Sequence, residues 1–291
     1  MTPAALALVV AASSIHATWN LLTKRAQDRL VFLWLGLGAG LIIYLPAAAY
    51  VARHYPFDPR GWLYVIASGV IHAIYYWCLS RMYAHDFSVT YPMARGSAPV
   101  LVAVTSLLLL QEPVTTGGLA GVALVVCGIA ALQVRYEPGR PGSLSWPLLQ
   151  AFRGPPGQAA MLTAVVIASY SLVDKVGVGF INPVLYLWLS HLVAFVGYST
   201  FMLRRAARVR AEARRSRREV LIVAVGQNLA YIMVLFAMRL APVAYVVPAR
   251  EMSTLIGAML GVLLLREPFP WSKVGGALLI VGGVVLIALR G

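Results

Sequence analysis

Acidic residues are scarce in this sequence, which has ten Asp and Glu against 24 Lys and Arg in 291 residues; only 12% of all residues are charged. A globular domain in water carries about 25% charged residues, so the composition excludes an ordinary soluble domain. There are two cysteines, Cys78 and Cys127. Both lie in apolar stretches and neither belongs to a C-x-x-C pair, which argues against a disulfide framework and leaves them as packing residues. No P-loop, G-x-S-x-G or metal-ligand set occurs, so an ATPase, a hydrolase or a metalloenzyme has no support and no cofactor or metal is expected. Period-two alternation is also missing, which disfavours a β-barrel.

What is present is apolar. Hydrophobic residues make up 60% of the chain and mean hydropathy is +0.79. A helix needs about 20 apolar residues to cross a hydrocarbon core, and windows of that kind fall near 3–23, 29–52, 61–83, 87–110 and 115–134, then near 157–176, 183–203, 219–240, 243–265 and 271–289. The first window lacks the basic n-region of a signal peptide and is taken as a span. Between the two sets lies a polar Pro/Gly-rich linker, 135–156, interrupted by Trp146 to Phe152. The expected domains are a five-helix unit over 1–134, the linker, and a second five-helix unit over 157–291.

The two units match each other. Leu109-Leu110-Gln111-Glu112-Pro113 parallels Leu264-Leu265-Arg266-Glu267-Pro268 at an offset of 155, and Gly121 and Gly128 pair with Gly276 and Gly283 at the same offset. Pro92-Met93-Ala94-Arg95 faces Pro248-Ala249-Arg250, His72 and Tyr75 align with Asn228 and Tyr231, and the run Trp19 to Lys24 aligns with Tyr170 to Lys175. A unit of five spans crosses the membrane an odd number of times, so its second copy is inverted, an arrangement that places a substrate at the repeat interface.

Ten spans, the duplication and both Glu-Pro signatures together resemble the EamA family of the drug/metabolite transporter superfamily over nearly the whole chain. The resemblance implies an all-α membrane fold of ten helices around a central cavity, lined mainly by spans one, three, four, six, eight and nine. The run Ile15 to Arg25 is similar to the branch associated with phosphonate utilisation. It also implies both termini in the cytoplasm. The charge count points the other way: loops after odd-numbered spans carry seventeen Lys and Arg, eight of them between Arg204 and Arg218, against five on the opposite side. The positive-inside rule then places both termini outside. The eight-arginine segment accounts for much of the net charge of +14 and is a membrane-flanking loop, so no nucleic-acid partner is expected.

Arg95 and Arg250 are the leading candidates for chemistry, because a cation in a span costs at least about 2.5–3.5 kcal/mol and is usually paired or cavity-facing. Pro92 and Pro248 precede them, so each helix is expected to be irregular where its arginine projects. The pair would bind a carboxylate, phosphate or phosphonate; the alternative is a structural role, such as pairing with Glu251. Glu251, inside a helix, and Asp174, near the end of span six, are candidates for proton coupling or fixed ion pairs. His72, Tyr75 and Tyr76 share one face of span three, and Gln227, Asn228 and Tyr231 form a comparable stripe on span eight; such stripes either line water or bond helix to helix. Trp19 and Asn20 with His16 on span one, their counterpart Tyr170 on span six, and Tyr91 beside Pro92 complete the set. Trp19 is alternatively an interfacial anchor and His16 a satisfied core histidine. Glu112-Pro113 and Glu267-Pro268 are taken as helix boundaries rather than a site, and the glycines of spans five and ten as close-packing positions.

The expected function is a multi-pass secondary transporter or exchanger, not an enzyme, in a bacterial inner membrane. Its expected partners are a small anionic or zwitterionic solute, lipid and protons. The alternatives are an exporter of cationic or aromatic drugs, and a non-transporting scaffold subunit.

Overall fold

The computed structural model describes residues 1–83, 87–132, 135–136, 144–145, 154–265 and 272–291. Among the described residues the chain is helical apart from a two-residue antiparallel ladder in the linker, Arg135–Tyr136 against Leu144–Ser145. The helices are α1 Pro3–Arg25, α2 Arg29–His54, α3 Gly61–Tyr83, α4 Phe87–Thr105, α5 Thr116–Leu132, α6 Pro155–Phe180, α7 Pro183–Met202, α8 Ala206–Arg215, α9 Arg217–Leu240, α10 Val243–Arg250, α11 Met252–Leu265 and α12 Ser272–Arg290. Among the described residues, seven segments in α1, α2, α3, α4, α6, α7 and α9 are long and apolar enough to cross a membrane; Thr116–Leu132 and Val274–Arg290 are apolar but shorter. Large apolar side chains face outward on several of these helices, Leu63 at 70% and Leu108 at 71% exposure among them. That surface is compatible with lipid and costly in water.

Local sequence sets the helix ends. Thr2 and Asp28 accept the backbone N–H of Ala5 and Val31 as N-caps of α1 and α2, and Pro sits in the first turn of α1 and α6, where its missing N–H is harmless. At the end of α4 the winding loosens to a π turn, Ser106–Leu110, and Gln111 takes a left-handed conformation with φ 49°. That position is disfavoured for a residue with a Cβ, and it reverses the chain just before Glu112.

The window 243–265 is not one continuous helix. It breaks at Glu251, whose N–H bonds back to Pro248 and Ala249 carbonyls, so the irregularity expected beside Arg250 is there. Beside Arg95 the helix runs on regularly through α4, and the loosening comes instead at Ser106–Leu110, beyond Arg95. Pro92 and Tyr91 lie within α4 with side chains outside the described set. Glu267, Pro268 and the stretch Trp146 to Phe152 lie outside the described residues altogether.

Helices α5 and α12 pack antiparallel through glycine. A Cβ on Gly121 would meet the Gly283 carbonyl at 2.7 Å, and one on Gly128 would meet the Gly276 carbonyl at 2.7 Å. Gly118 accommodates the Tyr245 ring and Gly117 the Arg290 side chain, but Gly275 and Gly282 face open space and are not packing positions. Cys78 is buried as expected; Cys127 is exposed on α5, so it is not a packing residue.

The bundle has two distinct ends. At the terminal end the Met1 ammonium donates to the Gly291 carbonyl at 2.6 Å, Thr115 Oγ1 bonds the Arg290 carbonyl, and the Thr115 N–H bonds Tyr245 Oη. At the basic end α8 is strapped beneath α2: Arg205 and Arg208 approach Asp28, the Asp28 N–H donates to buried Glu212, and Arg215 donates to Gln27.

Candidate functional site

A cavity of about 80 Å³ opens inside the bundle. Its wall takes His16 and Trp19 from α1, His72, Tyr75 and Tyr76 from α3, Arg95 from α4, Tyr170 from α6, His191 from α7, Gln227 and Tyr231 from α9 and Arg250 from α10. Ten of these residues were candidates from the sequence, and the helices bring them to one place. Asn20 is half-buried and lies outside the wall. Asn228 is buried behind it, accepting at Oδ1 from His191 Nδ1 at 3.0 Å while donating to the Ala224 carbonyl. His191 was missed by sequence reasoning, although an imidazole within an apolar window is a signal of the same kind as an intramembrane arginine.

The two arginines have different surroundings. Arg95 Nη2 pairs with Glu251 Oε1 at 3.1 Å and donates to Ser253 Oγ at 3.2 Å, all three residues being buried. Glu251 therefore neutralises the arginine of the other half rather than its own neighbour. Consecutive helical residues do not face one another, and the break at Glu251 turns its carboxylate toward α4.

Arg250 is 4% exposed and has no ion pair among the described residues; its guanidinium lies 5.8 Å from the centroid of the Tyr231 ring. Its Nε has no hydrogen-bond partner there, and the same is true of Trp19 Nε1, His16 Nε2 and Gln227 Oε1. A buried donor or acceptor without a partner costs about 1–3 kcal/mol. Four such atoms on residues that line one cavity suit a polar occupant.

Asp174 is fully buried, six residues before the end of α6, and does not line the cavity. Its carboxylate accepts from Tyr231 Oη at 2.6 Å and Tyr186 Oη at 2.8 Å. Tyr231 thus faces Arg250 with its ring and Asp174 with its hydroxyl. Around them His72 stacks on Tyr170 at 4.4 Å, and its Nδ1 bonds the Ser68 carbonyl at 2.9 Å. Among the described residues no group of three His, Cys, Asp or Glu side chains is placed to hold a metal ion.

The Glu112-Pro113 pair does more than end a helix. Glu112 Oε1 pairs with Lys175 Nζ at 3.1 Å, and its two oxygens accept the N–H groups of Val243 at 3.0 Å and Ala244 at 3.4 Å.

The sequence model of the EamA-like transporter family matches residues 3–133 and again residues 157–289. No curated protein matches the chain. A protein of known crystal structure superposes with a TM-score of 0.74 over 99% of this chain and 98% of that one, at 16% identity, which shows a shared fold. With a family match across both halves and a set of apolar helices of spanning length, the chain belongs to the EamA-like transporter family and is an integral, multi-pass membrane protein.

Proposed function

We propose that this protein is a secondary transporter or exchanger of a small anionic or zwitterionic metabolite, an amino acid, an organic acid or a phosphonate, in a bacterial inner membrane. The observation that carries this is Arg250: a buried guanidinium with no carboxylate partner among the described residues, on the wall of a polar cavity, beside a second arginine already neutralised by Glu251. The three side chains sum to one positive charge, and an anionic group on the solute balances it. A cationic drug would face uncompensated repulsion, even though the tyrosines offer it ring faces.

Ten spans complete the architecture: the seven long helices, α5, α12 and the broken α10–α11 segment. The antiparallel glycine contact of α5 with α12 is what an inverted pair of five-helix units, 1–134 and 157–291, would produce at its pseudo-two-fold axis. Alternating access then follows from rocking one unit against the other around Arg95 and Arg250. Of the two acids considered for proton coupling, Asp174 suits the task better, because Glu251 is held by Arg95 whereas Asp174 contacts two tyrosine hydroxyls.

The test is uptake into vesicles reconstituted with the purified protein. Labelled amino acids, organic acids and alkylphosphonates are expected to show saturable flux that Arg250→Ala removes without altering the folded, monodisperse protein. Flux of hydrophobic cations with none of anions or zwitterions would assign the protein to the drug-export alternative.

A further inference from the structure

We infer that Glu112 and Lys175 form the gate that closes the cavity toward the terminal end of the bundle, and that opening this side requires their separation. The inference rests on the transport function proposed above and names the device that controls the same cavity.

The pair sits at the tight connection between α9 and α10. Lys175 Nζ donates to the Met238 and Ala241 carbonyls at 2.5 and 2.9 Å, satisfying the end of α9, while Glu112 accepts the first N–H groups of α10. A cation thus meets the negative end of one helix dipole and an anion the positive end of the next, and each charge also neutralises the other. Glu112 comes from the first half of the chain, whereas Lys175, α9 and α10 belong to the second. The left-handed turn at Gln111 immediately precedes Glu112. A fixed residue at an unfavourable φ is a conformation that surrounding contacts must hold.

Beneath the pair the terminal side is sealed. Every residue of α10 is buried, and Asp174, next to Lys175 in sequence, is fully buried and tied to Tyr186 and Tyr231. The eight-residue helix α10 has its first N–H groups on Glu112 and its last residue, Arg250, on the cavity wall. Release of the Glu112 end therefore frees the element that carries Arg250, so gate and binding site move as one piece. Neither residue lines the cavity. They are positioning residues that act through α10, not solute contacts.

The experiment places a reporter cysteine at Ala244, which is fully buried in the closed arrangement, in a Cys78→Ala/Cys127→Ala background, and measures its rate of labelling by a membrane-impermeant maleimide in whole reconstituted protein. Glu112→Gln and Lys175→Met are expected to raise the rate by about tenfold or more, as a shift of a two-state equilibrium requires, while Lys175→Arg, which keeps the cation, leaves it near the parent rate. Thermal melting and monodispersity of each variant separate opening from unfolding. Equal labelling in all folded variants, or opening by Lys175→Arg as readily as by Lys175→Met, would overturn the gate. Because labelling needs no solute, increased labelling with no anion flux in the parent protein would leave the gate standing and reject the substrate class instead.

Discussion

Arg95 and Arg250 are the same residue, each follows a proline in matching sequence contexts, and both line one cavity, yet among the described residues Arg95 pairs with a carboxylate and Arg250 does not. The difference comes from a single acid. Glu251 is adjacent to Arg250 in sequence but pairs with Arg95 at 3.1 Å, across the two halves of the chain. A buried cation is thus structural or available to a solute according to which carboxylate reaches it, and neighbours in sequence are a poor guide to that.

Arg95→Ala tests the structural side of this contrast and should have the largest effect on the fold. It leaves Glu251 buried and uncompensated, a loss of about 3–5 kcal/mol. A fall in melting temperature partly restored in the double variant Arg95→Met/Glu251→Leu would sharpen the contrast, while a variant as stable as the parent would break it. Arg250→Ala should do the reverse. It removes a charge with no ion pair among the described residues, so the fold is expected to survive, whereas anion flux falls by about 30- to 5000-fold, the range for truncating one partner of a buried charge pair. Equal loss of stability in both single variants would mean that the two arginines play one role.

Trp19→Phe removes a cavity-wall N–H that has no partner among the described residues. If that group bonds the solute, apparent affinity should fall by about fivefold with stability unchanged, as for one neutral hydrogen bond; unaltered affinity would assign Trp19 to packing alone.

The smallest effect is expected away from the cavity, at the loop before α3. Asp58 accepts hydrogen bonds from the Arg60 side chain and N–H, which hold its carboxyl below the usual carboxylate range. A carboxyl with a lowered folded-state pKa adds stability above its unfolded value, and that contribution fades as pH falls through the folded one. Amide protection factors at the start of α3, which allow for the intrinsic pH dependence of exchange, should therefore fall slightly on acidification in the parent and stay flat in Asp58→Asn; the same acid response in both would show that Asp58 contributes nothing there.

Much of this fold was legible because lipid imposes a simple rule on sequence, namely apolar windows of spanning length. The cavity stripe was legible for the same reason, since His72, Tyr75, Tyr76, Gln227 and Tyr231 stand out against an apolar background and share helical faces. The partner of each charge was not legible. Glu251 lies beside Arg250 but serves Arg95, and Glu112, taken for a helix boundary, caps α10 and pairs with Lys175. Those contacts join residues 63 or more positions apart and depend on how helices rotate about their axes, which periodicity fixes only to within a face. Asn20 shows the converse failure: spaced four from His16, it was expected on the wall, and α1 turns it away.

The glycine contact between α5 and α12 also bears on how the chain is made. Gly121 and Gly128 have as their close partners Gly283 and Gly276, which follow them by 162 and 148 positions in the chain. During synthesis the inner face of α5 must therefore wait in the bilayer until α12 is inserted. A nascent chain stopped before α12 would leave the glycine carbonyl face of α5 without the helix that packs on it.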